Sequence, residues 1–173
     1  NIEKGQRQNA RMFAGVPLKI VTSFKYLGHI VTSDLRDNAD IERERRALSV
    51  RSNMLARRFA RCTANVKIIL FKVFCQSFYS SGLWVTYTRR AFSVLRVQYN
   101  NASGGCWGCR GAAARRECSQ RARTDGLPAI MRKKAASLLQ RLRASSDSVL
   151  KMIAGRPDCP IQNHLMRMIL GLV

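Results

Sequence analysis

Basic side chains outnumber acidic ones three to one in this chain, 31 Lys and Arg against 10 Asp and Glu, for a net charge of +21. A charge so far from zero repels itself when the chain collapses, so the fold must leave most of it in water and gains from a polyanion. By type the cations divide into 23 Arg and 8 Lys. The guanidinium fork matches phosphate oxygens better than an ammonium does, which points to nucleic acid ahead of generic solubility. A plain solvated cationic surface is the competing reading, and an anionic membrane surface is the runner-up polyanion. Hydrophobic residues make up 46% of the 173 positions, a globular composition sufficient for one domain. The longest apolar stretch, residues 66–85, is interrupted by Lys67, Lys72 and Gln76, so no span of roughly 18 apolar residues is available for a bilayer. The chain opens at Asn1 with neither an initiator Met nor a basic-then-apolar leader. The expectation is a piece of something longer, in the nucleus or cytoplasm and not secreted.

Carboxylates are few, and Asp34, Asp37, Asp40, Glu42 and Glu44 crowd into one stretch. Two-metal phosphoryl chemistry needs two or three carboxylates converging on the ions. Acids at the start of a helix are favoured by its dipole, and that is the stronger reading of the cluster. Six cysteines occur, of which Cys62 and Cys75 fall in helical apolar patterns and read as reduced, buried thiols. Cys106-x-x-Cys109 followed by Cys118 is half of a thiolate zinc site. The next ligand types, Cys159 and His164, lie about forty residues further on, so drift in a loop is favoured over a knuckle. His29 and His164 have no evident partner, and no Ser or Cys has a His and acid set for nucleophilic catalysis.

The periodicities predict a mainly α fold, a helical bundle preceded by a short β-hairpin. Residues 1–17 read as an irregular polar lead-in. Residues 18–33 read as the hairpin, with β-formers Leu18, Ile20, Phe24, Tyr26, Ile30 and Val31, a turn near Thr22-Ser23 and a glycine at Gly28. A helical region comes next over 34–144, with a Gly/Ala/Arg-rich loop at about 100–125, and short helices over 145–173. In the first helix Asn38 is the expected N-cap, and Ile41, Leu48, Leu55, Phe59 and Cys62 form one stripe. At 100° per residue Arg43, Arg46, Arg57 and Arg61 fall opposite that stripe, and Glu42 pairs with Arg46. A second helix over 66–81 is apolar nearly all round and is expected at the centre of the bundle. A third starts near Thr88 with Phe92, Leu95 and Tyr99 on one face. A fourth opens at Asp125-Gly126-Leu127-Pro128 with a stripe of Leu127, Met131, Ala135, Leu138 and Leu142. Trp84, beside the apolar helix, reads as core ahead of a base-stacking platform.

Phe24-Lys25-Tyr26-Leu27-Gly28-His29-Ile30, with Asp34 after it, resembles the segment that closes the palm and leads into the thumb of reverse transcriptases from non-LTR (LINE-type, insect-like) retrotransposons. The Arg-rich helix over 40–61 resembles the first thumb helix. The Leu70-Phe71-Lys72 and Gly82-Leu83-Trp84 stretches resemble the next thumb helix, and Val97-Gln98-Tyr99-Asn100-Asn101 and Thr124-Asp125-Gly126 are similar to the stretches beyond it in that family. The likeness runs over roughly residues 16–160. It implies a thumb that grips an RNA–DNA hybrid, or an RNA template with its DNA primer. Phe24, Lys25, Tyr26, Leu27 and Gly28 would lie near the primer end, and Arg43, Arg46, Arg57, Arg58 and Arg61 on phosphates. The family's aromatic-Ala-Asp-Asp turn has no counterpart, since no two carboxylates are adjacent in this sequence. The chain as it stands is therefore expected to be non-catalytic, to need no cofactor and to take no small-molecule substrate or membrane; Mg²⁺ would belong only to the complete polymerase. The Gly-rich run from Ser103 to Gly111 departs from the family's apolar pattern, which weakens packing there. Two other readings stand beside this one: part of an active polymerase whose palm lies outside the chain, and the product of a decayed copy without a selected role.

Overall fold

The computed structural model describes residues 12–108, 122–156 and 158–172. Two antiparallel hairpins precede a set of helices. The first is β1 (Met12–Phe13) with β2 (Val16–Pro17), and the second is β3 (Ser23–Tyr26) with β4 (His29–Thr32). The helices are α1 (Asn38–Arg58), α2 (Ala64–Cys75), α3 (Arg89–Trp107), α4 (Leu127–Ala144), α5 (Ser148–Ala154) and α6 (Pro160–Leu170), with a 3-10 turn at Ser81–Leu83 between α2 and α3.

The turn of the second hairpin lies at Leu27-Gly28, not near Thr22-Ser23. Tyr26 pairs with His29 in register, leaving a two-residue loop. Both loop residues have positive φ, 46° at Leu27 and 86° at Gly28. That is the mirror-image turn that matches strand twist, and glycine enters its second position without strain. Thr22 and Ser33 close the open end through the Ser33 N–H to Thr22 carbonyl bond of 2.8 Å.

The expected stripe of α1 is the buried one. Ile41, Leu48 and Leu55 are covered and Phe59 packs against them, with Glu44 and Ser52 filling the same face. Burial of each large aliphatic side chain contributes about 1.5–3 kcal/mol. Asn38 is the first helical residue, not the cap, and its side chain accepts from the Thr88 amide at 2.9 Å. Asp37 stands before it, and its carboxylate takes the Val85 and Thr86 amides, each at 2.8 Å. Both side chains are used to staple the start of α1 to the approach of α3.

The central element is α3, which packs along α1, and not the more apolar α2. Only Phe71 and Cys75 of α2 are buried, whereas Val66, Ile69, Val73 and Phe74 are exposed. The helix also ends at Cys75, and the chain reverses through Phe78, whose φ is +30°. An all-round apolar pattern marks what a helix can bury, and here the partners cover only one side. Thr88 caps α3 by accepting from the Ala91 amide at 3.2 Å, where the sequence predicts the start. The helix runs on through Asn100 to Trp107, so the first part of the expected loop is helical. Gly108, at φ 71°, ends it with the left-handed residue common at helix C-termini. Ala102, Ser103 and Cys106 lie buried within that stretch of a helix that packs along α1, and the Cys106 thiol reaches the Ser52 carbonyl of α1.

Phe71, Phe78 and Tyr99 form an aromatic cluster, with Tyr99 5.6 Å from Phe71 and 5.9 Å from Phe78 between ring centroids. The Tyr99 hydroxyl donates to the Asp125 carbonyl and accepts from Gln76 Nε2, both at 2.6 Å, which joins α3 to the start of α4. The predicted stripe of α4 is buried at Leu127, Met131 and Ala135, with Leu138 and Leu142 packed against the core. On α6, Gln162 donates its amide to the carbonyls of Ile153, Ala154 and Arg156 at 2.8, 3.1 and 3.0 Å, covering the open end of α5. No helix among the described residues is long and apolar enough to cross a membrane.

Candidate nucleic-acid interface

Asp40 fixes the hairpin to the helices. Its carboxylate is fully buried and accepts from the Ile30 amide at 3.0 Å, Arg43 Nε at 2.7 Å, Ser80 Oγ at 2.8 Å and the Trp84 indole at 2.8 Å. Burial alone would raise its pKa, but the bonds from Arg43, Trp84, Ile30 and Ser80 outweigh it and hold the carboxyl well below the ordinary range. His29, expected to be without a partner, sits between two carboxylates. Its Nδ1 is 3.0 Å from Asp40 Oδ2 and its Nε2 is 3.6 Å from Asp37 Oδ1, without hydrogen-bond alignment at Nδ1. Trp84 is core, as its place in the sequence predicts, with no exposed surface for stacking.

The five clustered acids are all spoken for. Asp34 accepts from Thr32 Oγ1 at 2.6 Å and closes the turn after β4. Asp37 and Asp40 tie α1 to its neighbours. Glu42 takes Arg45 through two bonds of 2.6 and 2.7 Å and Arg46 through one of 2.8 Å, and these bonds hold its pKa down to about 2. Glu44, buried, pairs with Arg43 at 3.2 Å and with Arg51. Among the described residues no three His, Cys, Asp or Glu converge as a cation site.

This pairing divides the predicted arginines. Arg43 is not on an open face: its guanidinium is half-buried, tied to Asp40, Glu44 and Ser80, and its pKa is raised chiefly by the Asp40 bond. It lies beside the core rather than opposite, because Asp40 and Glu44 belong to the buried face. Arg46 is exposed but shares Glu42 with Arg45. Arg57, Arg58 and Arg61 are exposed and enter no ion pair among the described residues. They gather at the C-terminal end of α1, where the helix dipole favours cations. Val50, Asn53 and Met54 join Arg57 and Arg58 around a shallow hollow of about 390 Å³.

The hairpin residues lie at the surface. Phe24, Tyr26 and Leu27 are 53%, 62% and 74% exposed, and Lys25 and Gly28 are exposed with them. They and the arginine cluster flank opposite ends of α1, a 21-residue helix about 30 Å long. Of the predicted contact residues, the cations without an ion pair among the described residues are thus split between a hairpin tip with one lysine and a helix end with three arginines.

Cys106 belongs to the core of α3. Its thiol donates to the Ser52 carbonyl at 3.9 Å; the other two cysteines of the predicted half-site, Cys109 and Cys118, lie outside the described residues. Cys75 is also buried, and burial pushes its thiol up to about 12. Sequence reasoning missed Asp40 as the centre of a network. The i,i+3 spacing to Arg43 was readable, but Ser80 and Trp84 are 40 and 44 residues away and carry no periodic signal. Comparison with protein-family models, with curated proteins and with solved structures returns no match.

Proposed function

We propose that this chain is a non-catalytic nucleic-acid grip, the thumb segment of a LINE-type reverse transcriptase, which holds a template–primer duplex through Arg57, Arg58 and Arg61. The observation that carries the reading is the set of guanidinium groups left without carboxylate partners. Apart from His29, the ion pairs among the described residues use only Arg36, Arg43, Arg45, Arg46, Arg51 and Lys133, so most of the described basic side chains remain for a polyanion. The motif series supports the same reading, because its Phe24-to-Gly28 segment forms an exposed tip tied to α1. No catalytic role falls to the acids of the 34–44 cluster, whose carboxylates are engaged in holding the fold.

The test is binding to a fluorescent RNA–DNA hybrid between about 50 and 300 mM salt, where log K falls with log salt by about 0.7–0.9 per neutralised phosphate. The triple change of Arg57, Arg58 and Arg61 to Gln should lower that slope by roughly 2–3. Arg43→Gln should leave the slope alone and destabilise the fold. Weak binding that ignores the triple change would refute the proposal and leave a diffusely charged relic.

A further inference from the structure

A cleft lies away from the arginine cluster of α1, where the start of α3 meets α4 and α6. Tyr87 and Phe92 form one wall, with ring centroids 5.8 Å apart and planes tilted by 32°. Met131 and Met168, both buried, supply a polarisable apolar floor, and Arg96 and Arg132 stand at the exposed rim. The cleft is open and holds about 280 Å³. That is near the lower end of the roughly 300–1,000 Å³ of ligand pockets, room for one nucleotide and far too little for a duplex.

The chemistry of the lining selects its occupant. No carboxylate lines the cleft, and neither guanidinium enters an ion pair among the described residues. Arg132 lies beside the end of α6: its Nη1 is 3.7 Å from where a side chain on Gly171 would begin, and a helix C-terminus favours a cation nearby. A dianion on an apolar, planar body satisfies both halves of such a site. Guanidinium groups bind phosphate oxygens bidentately, and aromatic and thioether walls stack a base without reading its sequence.

We propose that this cleft binds a single unpaired nucleotide, its base against Tyr87 and Phe92 and its phosphate between Arg96 and Arg132. The site is separate from the duplex grip and stands or falls independently of it. The nucleotide arrives either free or as the overhanging end of a strand.

The probe is 2-aminopurine riboside 5′-monophosphate, whose fluorescence is quenched on stacking, added to the full chain; a hybrid with a single-stranded overhang ending in 2-aminopurine is the second arm. Saturable quenching is expected, displaced by adenosine monophosphate and not by the same concentration of ribose 5-phosphate. The exposed double change Arg96→Gln and Arg132→Gln should weaken it at least ~10-fold. Tyr87→Leu should abolish the quenching, in protein whose melt confirms that it is folded. Quenching of the overhang alone assigns the site to a strand end, and quenching of both admits the free nucleotide. Absence of quenching in both arms overturns the proposal. So does displacement by ribose 5-phosphate equal to that by the nucleotide, or quenching that survives the Arg96 and Arg132 changes. The triple glutamine variant of Arg57, Arg58 and Arg61 should keep the mononucleotide signal, so failure of the duplex grip and failure of this site are read separately.

Discussion

Replacing Asp40 by Ala removes a buried group shared by the hairpin, α1 and the segment before α3. Its two oxygens satisfy four donors, the Ile30 amide, Arg43 Nε, Ser80 Oγ and the Trp84 indole, at 2.7–3.0 Å, with no exposed surface on Asp40 itself. Arg43 keeps Glu44, so the loss falls mainly on the Ile30 amide, the Ser80 hydroxyl and the Trp84 indole, left as unsatisfied donors at about 1–3 kcal/mol each, for roughly 3–5 kcal/mol together. A domain of this size has about 5–15 kcal/mol in total, so a large share of the stability goes with this carboxylate. The assay is urea unfolding followed by Trp fluorescence. With a slope of about 1–3 kcal/mol/M, the midpoint of Asp40→Ala should fall by roughly 2 M at unchanged slope. Asp40→Asn separates charge from shape: it keeps the volume, yet it sets an NH₂ donor against groups that are themselves donors, so it should not rescue. The pH dependence has a definite sign. A carboxyl depressed in the folded state stabilises fully above its unfolded value of 3.8, and the contribution is lost as pH falls from there towards the lower folded value. The variants should therefore differ least from the parent in strong acid. An Asn variant at parental stability, or an Ala loss below about 1 kcal/mol, would refute the account of Asp40 as the tie.

Glu42→Gln releases Arg45 and Arg46 from their shared carboxylate, and should steepen the salt dependence of hybrid binding by roughly 1–2 while costing the helix only about 0.3–0.5 kcal/mol per lost pair. Cys75, whose thiol is pushed up to about 12, and buried Cys106 should resist a thiol reagent until the protein unfolds, whereas half-exposed Cys62 and Cys159 react first; site-resolved mass spectrometry reads the order. Gly28→Ala should cost about 1 kcal/mol through the positive φ of 86° alone, since nothing lies within 4 Å of the added carbon, and the loss should appear as faster amide exchange across β3 and β4. Gln162→Glu turns acceptors towards the three carbonyls that end α5, and should destabilise by about 1–3 kcal/mol in a chemical melt, with Gln162→Ala less severe.

Elements with a one-sided local pattern were legible from sequence. The stripe of α1 at Ile41, Leu48 and Leu55, the Thr88 cap of α3 and the Pro128 start of α4 stand where periodicity and capping chemistry put them. Elements whose fate depends on what covers them were not. The sequence of α2 is apolar on every side, and nothing in it says that Ile69 and Val73 stay exposed while Phe71 is covered by Tyr99. The run from Asn100 to Trp107 reads as a breakdown because Ser and Gly are weak helix signals, yet small side chains are what a close α1–α3 contact requires. The hairpin turn reads too early in the sequence because Leu27, a poor residue at positive φ, hides the mirror-image turn that Gly28 permits.

Counting charges overstates what α1 offers to phosphate, and the correction lies in which arginine finds an acid first. Six arginines lie on α1, and the four up to Arg51, namely Arg43, Arg45, Arg46 and Arg51 itself, neutralise Asp40, Glu42 and Glu44. The helix is therefore electrostatically polar along its length, close to balanced at the hairpin end and cationic at the other. A surface charge that is already paired gains little from a second anion, because binding must first break the pair. Moving a phosphate from Arg46 to Arg57 thus changes more than its position along one helix: it exchanges a competed site for a free one. On the proposed function, the sign of the whole chain would draw a polyanion in, and the pairing of individual carboxylates would decide where along α1 it settles.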